Sequence, residues 1–490
     1  MKRVILPISA VAAFALSAGS FAATTDASSA SLSVEVNQLS AKTKKLEREV
    51  AALHKQSNKK RVVVKHAHVV VVPVVHPWAH FVTVTTTPFL GRQTDYDGQD
   101  LLYNLSSNNE DLRLLKQKQY LANQMAAQGY QLDRPILQLS GAVAGQGFSA
   151  SGFNTGTNNG INLAGAELDM NAIASSWATG FMSMDFNGSP ISTGNREPNS
   201  TIYLGRGFAT IGNLNRFPVY FTAGLMYVPF GRYANGMVTT PLTMSLAKIR
   251  TPAALLGFSL DNGLHGSVFG YSGSQTSGGQ PVFKQGGADV GYKHQLNQQD
   301  AFSVGAGWVS NIADSQGQQS TGLSTATGQF GGFGVTTPTS TNNNLLVHAV
   351  DGVDGHATVS VGPVSLIGEY IGAAERFNIA DMTYNGVGAK PQAAHVEADY
   401  LLPFFAKKYD TTLGAAYGHT WQALALNLPQ NSYSLFLNTS IWRETGESIE
   451  FRHDTDYATS AAALGRGATT AIAGTGRARN SVTGQVGVYF

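Results

Sequence analysis

The chain has 490 residues, no cysteine, a formal charge of +2 and only 13% charged residues, about half the roughly 25% of ordinary soluble domains. Lack of cysteine excludes disulfides, cysteine-held zinc, iron–sulfur clusters and a lipidated cysteine. Hydrophobic residues reach 43% without any apolar run of the ~20 residues that a spanning helix needs. With 54 glycines and 10% aromatics, this texture points to an all-β chain, a transmembrane antiparallel barrel.

Residues 1–22 read as a signal peptide. Lys2 and Arg3 precede the apolar stretch Val4–Leu16, and small residues at Ser20 and Ala22 set an expected cut after Ala22. The alternative is an uncleaved anchor. Residues 23–66 carry nine bases and four acids, a balance of +5, which leaves −5 for 67–490.

Residues 23–60 read as a coiled coil and basic linker. Leu32, Val36, Leu39, Thr43, Leu46, Val50 and Leu53 alternate steps of four and three, with Leu at d and β-branched residues at a. This predicts a homo-oligomer held through residues 30–56; a solitary amphipathic helix is the competing account. The acid-free run 54–66, with five bases, is a solvated linker or a contact for anionic headgroups or cell-wall polymer.

The next segment, 61–135, opens with Val62–Val75, read as extended. His66, His68, His76 and His80 lie in it. An H-x-H pair on a strand puts both rings on one face, so a weak metal site competes with scattered exposed histidines. A helix is predicted over 109–128, capped by Asn108 or Asn109, with acids in its first turn and Gly129 at its end.

From residue 136 to 490 the hydrophobic period is two. Val482, Gly484, Val486, Val488 and Phe490 alternate with polar positions, and Phe490 ends a strand of the kind that the barrel assembly machinery reads. Leu168, Met170 and Ala172 oppose Glu167, Asp169 and Asn171; Ala394, Val396, Ala398 and Tyr400 oppose His395, Glu397 and Asp399. An apolar face toward outer-membrane lipid and a charged face toward water is the barrel pattern. About sixteen such segments are legible: 136–146, 161–173, 175–187, 199–211, 217–228, 253–261, 263–271, 286–294, 301–311, 353–361, 363–371, 392–401, 409–418, 432–441, 447–455 and 481–490. Strand parity places Glu167, Asp169, Asp185, Asp289, Lys293, Glu369, His395, Glu397, Asp399, Glu450, Arg452 and Asp454 on the pore-lining face. Acids dominate that set, so a cation preference is expected. Residues 237–252, with Lys248 and Arg250, form either a surface loop or a constriction folded into the pore.

Enzyme motifs are lacking: no P-loop, G-x-S-x-G or H-E-x-x-H occurs. His395 and Glu397 share a strand face and read as a wall pair rather than a catalytic one. No catalytic residue, cofactor or nucleic-acid partner is expected; the barrel part is acidic and has no basic stripe.

A cysteine-free chain with a short N-terminal coiled coil and a barrel of about sixteen strands ending in Val486-Gly487-Val488-Tyr489-Phe490 resembles the LbtU-like siderophore porins. That outer-membrane family is known from Gram-negative bacteria such as Legionella and Coxiella. The resemblance implies a barrel without a globular plug that admits a ferric siderophore; it supplies no ligand residues. The expected function is a porin-like channel for small solutes. The alternative is a structural or adhesive surface protein without transport.

Overall fold

The computed structural model describes residues 83–86, 109–129, 135–188, 200–277, 280–297, 300–335, 346–402, 411–442 and 444–490. The signal peptide, the coiled coil, the basic linker, Val62–Val75 and His66, His68, His76 and His80 lie outside them.

Sixteen antiparallel strands close into a barrel. In chain order they are β2 (Ile136–Ser151), β3 (Thr157–Ile173), β4 (Ala178–Gly188), β5 (Ser200–Gly212), β6 (Val219–Tyr227), β7 (Arg250–Ser259), β8 (Leu264–Ser277), β9 (Gln280–Gln295), β10 (Ala301–Val309), β11 (Gly352–Val361), β12 (Val364–Ala373), β15 (Gln392–Leu401), β16 (Thr411–Trp421), β17 (Asn431–Thr439), β18 (Thr445–Thr455) and β21 (Ala478–Tyr489). Each pairs with the next, and β21 returns to β2 from Tyr489↔Ala142 to Ser481↔Ala150. At that seam Gly141 N–H donates to the Phe490 carbonyl at 2.6 Å and Phe490 N–H donates to the Gly141 carbonyl at 2.9 Å. A short strand from before residue 136, β1 (Thr83–Thr86), adds parallel to β2 at Ile136–Leu139, below the point where β21 ends.

The period-two pattern explains the two faces. Along β17, Tyr433, Leu435 and Leu437 are exposed while Ser432, Ser434, Phe436 and Asn438 are buried. The exposed apolar rows continue through Ile449, Phe451, Val482, Val486 and Val488, an outer band suited to hydrocarbon. Register shifts interrupt the parity in the β2/β3, β4/β5 and β8/β9 ladders. Opposite the Ser183/Met184 step the ladder skips Gly205, and opposite Ala144/Gly145 it skips Ala164. Ile202 and Leu204 therefore face out but Arg206 faces in; Ile161 and Leu163 face out but Glu167 faces in.

Helix α1 (Glu110–Ala127) lies against the inner wall. Glu110 and Asp111 in its first turn suit the positive end of the helix dipole, and Gly129 ends it at a positive φ of 83°. Asn109 stands at the N-cap position, but it is left-handed and makes no side-chain capping bond; Asn108 lies outside the described residues. Leu112, Leu114 and Leu115 bury with Phe181, Phe208 and Tyr220. Lys118 Nζ donates to the Gly212 carbonyl at 2.9 Å.

The two barrel ends differ. One carries short turns, such as Asp261-Asn262-Gly263. At the other, long loops build a capping layer. It includes α3 (Gln316–Gln319) and a small sheet of β13 (Met382–Tyr384), β14 (Val387–Gly388), β19 (Ala462–Gly465) and β20 (Ile472–Ala473). Phe333 joins its rings, edge-on to Phe330 at 5.1 Å and stacked on Phe377 at 5.7 Å. No helix among the described residues is long and apolar enough to cross a membrane, which does not bear on strands.

Candidate functional site

The segment between β6 and β7, residues 228–249, runs across the barrel interior and includes α2 (Leu242–Ala247). It is pinned to the opposite wall by carboxylates. Glu369 Oε1 on β12 accepts from the amides of Arg232 at 2.6 Å and Tyr233 at 3.0 Å, and its Oε2 accepts from Thr243 Oγ1 at 2.6 Å. Glu397 on β15 accepts from Gly236 N–H at 2.7 Å. Glu450 on β18 accepts from the amide and hydroxyl of Thr239 at 2.7 and 2.6 Å. Arg452 donates to Thr239 Oγ1 at 3.0 Å and to the Thr240 carbonyl at 3.1 Å, and Asn438 Nδ2 donates to the Gly236 carbonyl at 2.8 Å. These charge-assisted bonds fix an irregular segment that has no ladder of its own. From the capping layer, Gln316 N–H donates to the Lys248 carbonyl and Ser315 Oγ to the Leu246 carbonyl.

His395 Nε2 lies 3.2 Å from Glu397 Oε2 and borders a small cavity with Met237, Pro241, Leu242, Ser432 and Ser434. Asp454 pairs with Arg452 at 2.8 Å and with Arg479 at 2.9 Å. Asp399 is buried on the same wall.

The facing wall holds a second cluster. Arg206 on β5, 1% exposed, bonds Glu110 of α1 at 3.0 Å and Glu167 of β3, with Asp169 at 3.7 Å. Asp185 is buried beside it. Burial raises the pKa of Glu110, opposed by the Arg206 and Arg113 charges. Burial also raises that of Asp111, against a hydrogen bond from Thr222. Lys248 sits over the Tyr227 ring, 4.0 Å from its centroid. Burial, and then the nearby Arg206 charge, lower its pKa to about 7. Arg250 is corrected from loop to strand: it opens β7, opposite Tyr227, and donates to the Leu204 carbonyl at 2.5 Å and to that of Gly205. Asp289 accepts from Ser267, and Lys293 on the same strand is half-buried. Among the described residues no cluster of three or more His, Asp or Glu is placed to hold a metal.

The chain is 39% identical over 415 residues to a UPF0422 protein of Legionella pneumophila, covering 83% of this chain and 76% of the relative. A UPF0422 protein of Coxiella burnetii is 35% identical over 417 residues, 84% of each chain. The chain belongs to the UPF0422 family. No family model matches it. Among solved structures, an anion-selective porin from Comamonas acidovorans aligns with 73% of this UPF0422 chain and 100% of its own length, at 13% identity and a TM-score of 0.47. Salmonella typhi OmpF, in a complex with daunomycin, aligns with 72% and 97% of the two chains, at 13% identity and 0.48.

In this UPF0422 member the structure adds residues that sequence parity missed. Arg206 follows Ile202 and Leu204 at even spacing, so simple alternation assigns it to the lipid face; the Gly205 bulge turns it inward. Glu110, Asp111 and Lys118 belong to the interior only because α1 is there. Arg232, Tyr233, Gly236 and Thr239 meet the wall through backbone amides, which leave no mark in a sequence.

Proposed function

We propose that this protein is an outer-membrane channel for small water-soluble solutes, with the 228–249 segment as its constriction. The observation that carries the reading is the attachment of that segment to Glu369, Glu397 and Glu450, which holds it across the interior between two polar walls. A closed barrel with an apolar outer band suits an outer membrane, and long loops then face outward and short turns the periplasm. A signal peptide cut after Ala22 supplies export, Phe490 engages the assembly machinery, and residues 30–56 join copies of the chain into a homo-oligomer.

The solute class that the LbtU-like resemblance implies is a ferric siderophore. Its anionic groups suit the basic side chains Lys248 and Arg250 at the constriction better than an all-acidic wall. The full set Glu167, Asp169, Asp185, Asp289, Lys293, Glu369, His395, Glu397, Asp399, Glu450, Arg452 and Asp454 is taken as the lining. Purified protein in planar bilayers tests the reading. Stepwise conductance is expected; a silent barrel would favour a structural or adhesive surface protein. Growth of a deletion strain on one ferric siderophore tests the solute.

A further inference from the structure

The outward face of β12, β15, β16, β17, β18 and β21 changes character at the long-loop end. Lower down it is apolar: Leu413, Leu435, Leu437, Ile449, Phe451 and Val482. Near the loops it becomes a hydrogen-bonded belt. His419 Nδ1 lies 2.7 Å from Asn431 Oδ1, Tyr417 OH donates to the same oxygen at 2.9 Å, and Asn431 Nδ2 donates to Thr455 Oγ1 at 2.9 Å. His453 Nδ1 lies 2.6 Å from Asn480 Oδ1.

Aromatic rings frame this belt. Trp421 meets His419 edge-on at 4.4 Å, Tyr417 lies 5.0 Å from Tyr433, and Tyr370 lies 6.3 Å from Trp421. Immediately above Trp421, the exposed Arg376 donates through Nη1 to Gln422 Oε1 at 3.2 Å and to the Gly388 carbonyl at 2.8 Å. Arg477 is exposed on the loop leading into β21. Two acids lie nearby and both are engaged: Glu375 is 3.7 Å from His348, and Asp456, whose amide donates to the Arg477 carbonyl, accepts from the amide and hydroxyl of Thr475.

We propose that this belt and basic rim bind the phosphorylated sugar headgroup of an outer-leaflet saccharolipid. An acceptor on each histidine's Nδ1 side fixes the proton there and aims Nε2 outward. Two imidazoles, two carboxamides and flat aromatic faces then meet sugar hydroxyls and ring faces, and the guanidinium of Arg376 meets phosphate. The apolar rows below match acyl chains. This order, apolar then aromatic and amide then cationic, mirrors the depth profile of such a lipid rather than that of a protein partner. The inference rests on the outer-membrane placement of the proposed function and is independent of conduction.

The test uses the full-length barrel in detergent and reads its unfolding temperature by heat-modifiable mobility. Bisphosphorylated lipid A, lipid A stripped of phosphate, and phosphatidylglycerol are each added. Bisphosphorylated lipid A is expected to raise the temperature and to co-purify with the barrel. The variant His419→Leu/His453→Leu/Arg376→Gln is expected to lose both effects while unfolding normally without lipid. His294→Leu, in the Tyr292 and Phe302 cluster near the short-turn end, is expected to keep them. Equal protection by dephosphorylated lipid A or by phosphatidylglycerol would overturn the proposal, as would a triple variant that still responds. A fall in oligomer mass of the triple variant would also overturn it, because a second copy of the chain would then cover this face. A barrel that conducts but ignores lipid A would leave the channel reading standing and this one refuted.

Discussion

Thr243 Oγ1 donates to Glu369 Oε2 at 2.6 Å, while the other oxygen of the same carboxylate takes the amides of Arg232 and Tyr233. One side chain on β12 thus holds both limbs of the crossing segment. Hydrogen bonds to a charged acceptor contribute about 1.5–3 kcal/mol each. Glu369→Ala should therefore release the segment, and single-channel records should show larger, noisier openings. Glu369→Gln keeps one acceptor oxygen and should give an intermediate trace.

Arg206 should be more sensitive to truncation than any of its partners. Arg206→Met leaves Glu167 and Asp169 without their base and Glu110 with Arg113 alone, a cost of about 3–5 kcal/mol for a broken buried pair. Glu110→Gln leaves Arg206 bonded to Glu167 and near Asp169 and should cost far less. Unfolding temperatures of the two variants in detergent, ranked against the parent, check this.

Lys248 gives a pH dependence with a definite sign. Its pKa is lowered from 10.5 to about 7 by burial, so the docked segment binds fewer protons than a released one between those values. Below about 7 the lysine is charged in both states and its burial penalty is fully present. As pH rises from about 7 toward 10.5 that penalty disappears and docking strengthens. Open-channel noise should fall over that range, and Lys248→Met should flatten the response. Noise that rises with pH would contradict this assignment.

The seam depends on close approach at Gly141, where an added Cβ would lie 2.6 Å from the Phe490 ring. Gly141→Val should push Phe490 off β2. Deleting Phe490 removes both reciprocal backbone bonds. Each change should lower the amount of heat-modifiable barrel in outer-membrane fractions. Parent levels in both would show that the seam closes without them.

Most of the barrel was legible because lipid outside and polar groups inside impose a strict period of two. All sixteen expected segments overlap strands, from 136–146 in β2 to 481–490 in β21. The period fails where the backbone breaks it. A bulge at Gly205 hides Arg206, the one fully buried arginine among the described residues, because parity is counted from Ile202 and Leu204. The strands β13, β14, β19 and β20, two to four residues each, are too short to show alternation.

The charge count was incomplete for a related reason. Glu369, Glu397 and Glu450 were read as open pore charges, yet each accepts hydrogen bonds from the crossing segment, and Glu167 and Asp454 face arginines. The cation preference expected from nine acids against Lys293 and Arg452 should accordingly be small. Reversal potentials across a salt gradient should lie near zero in the parent and shift toward cations in Arg206→Met.

The pinned constriction itself is tested most directly by single-channel conductance of the parent and of Glu369→Ala/Glu397→Ala/Glu450→Ala in the same bilayer and salt. Discrete conductance steps in the parent and larger steps in the triple variant are predicted. A silent parent, or equal steps in a triple variant shown to be folded by heat-modifiable mobility, would contradict it.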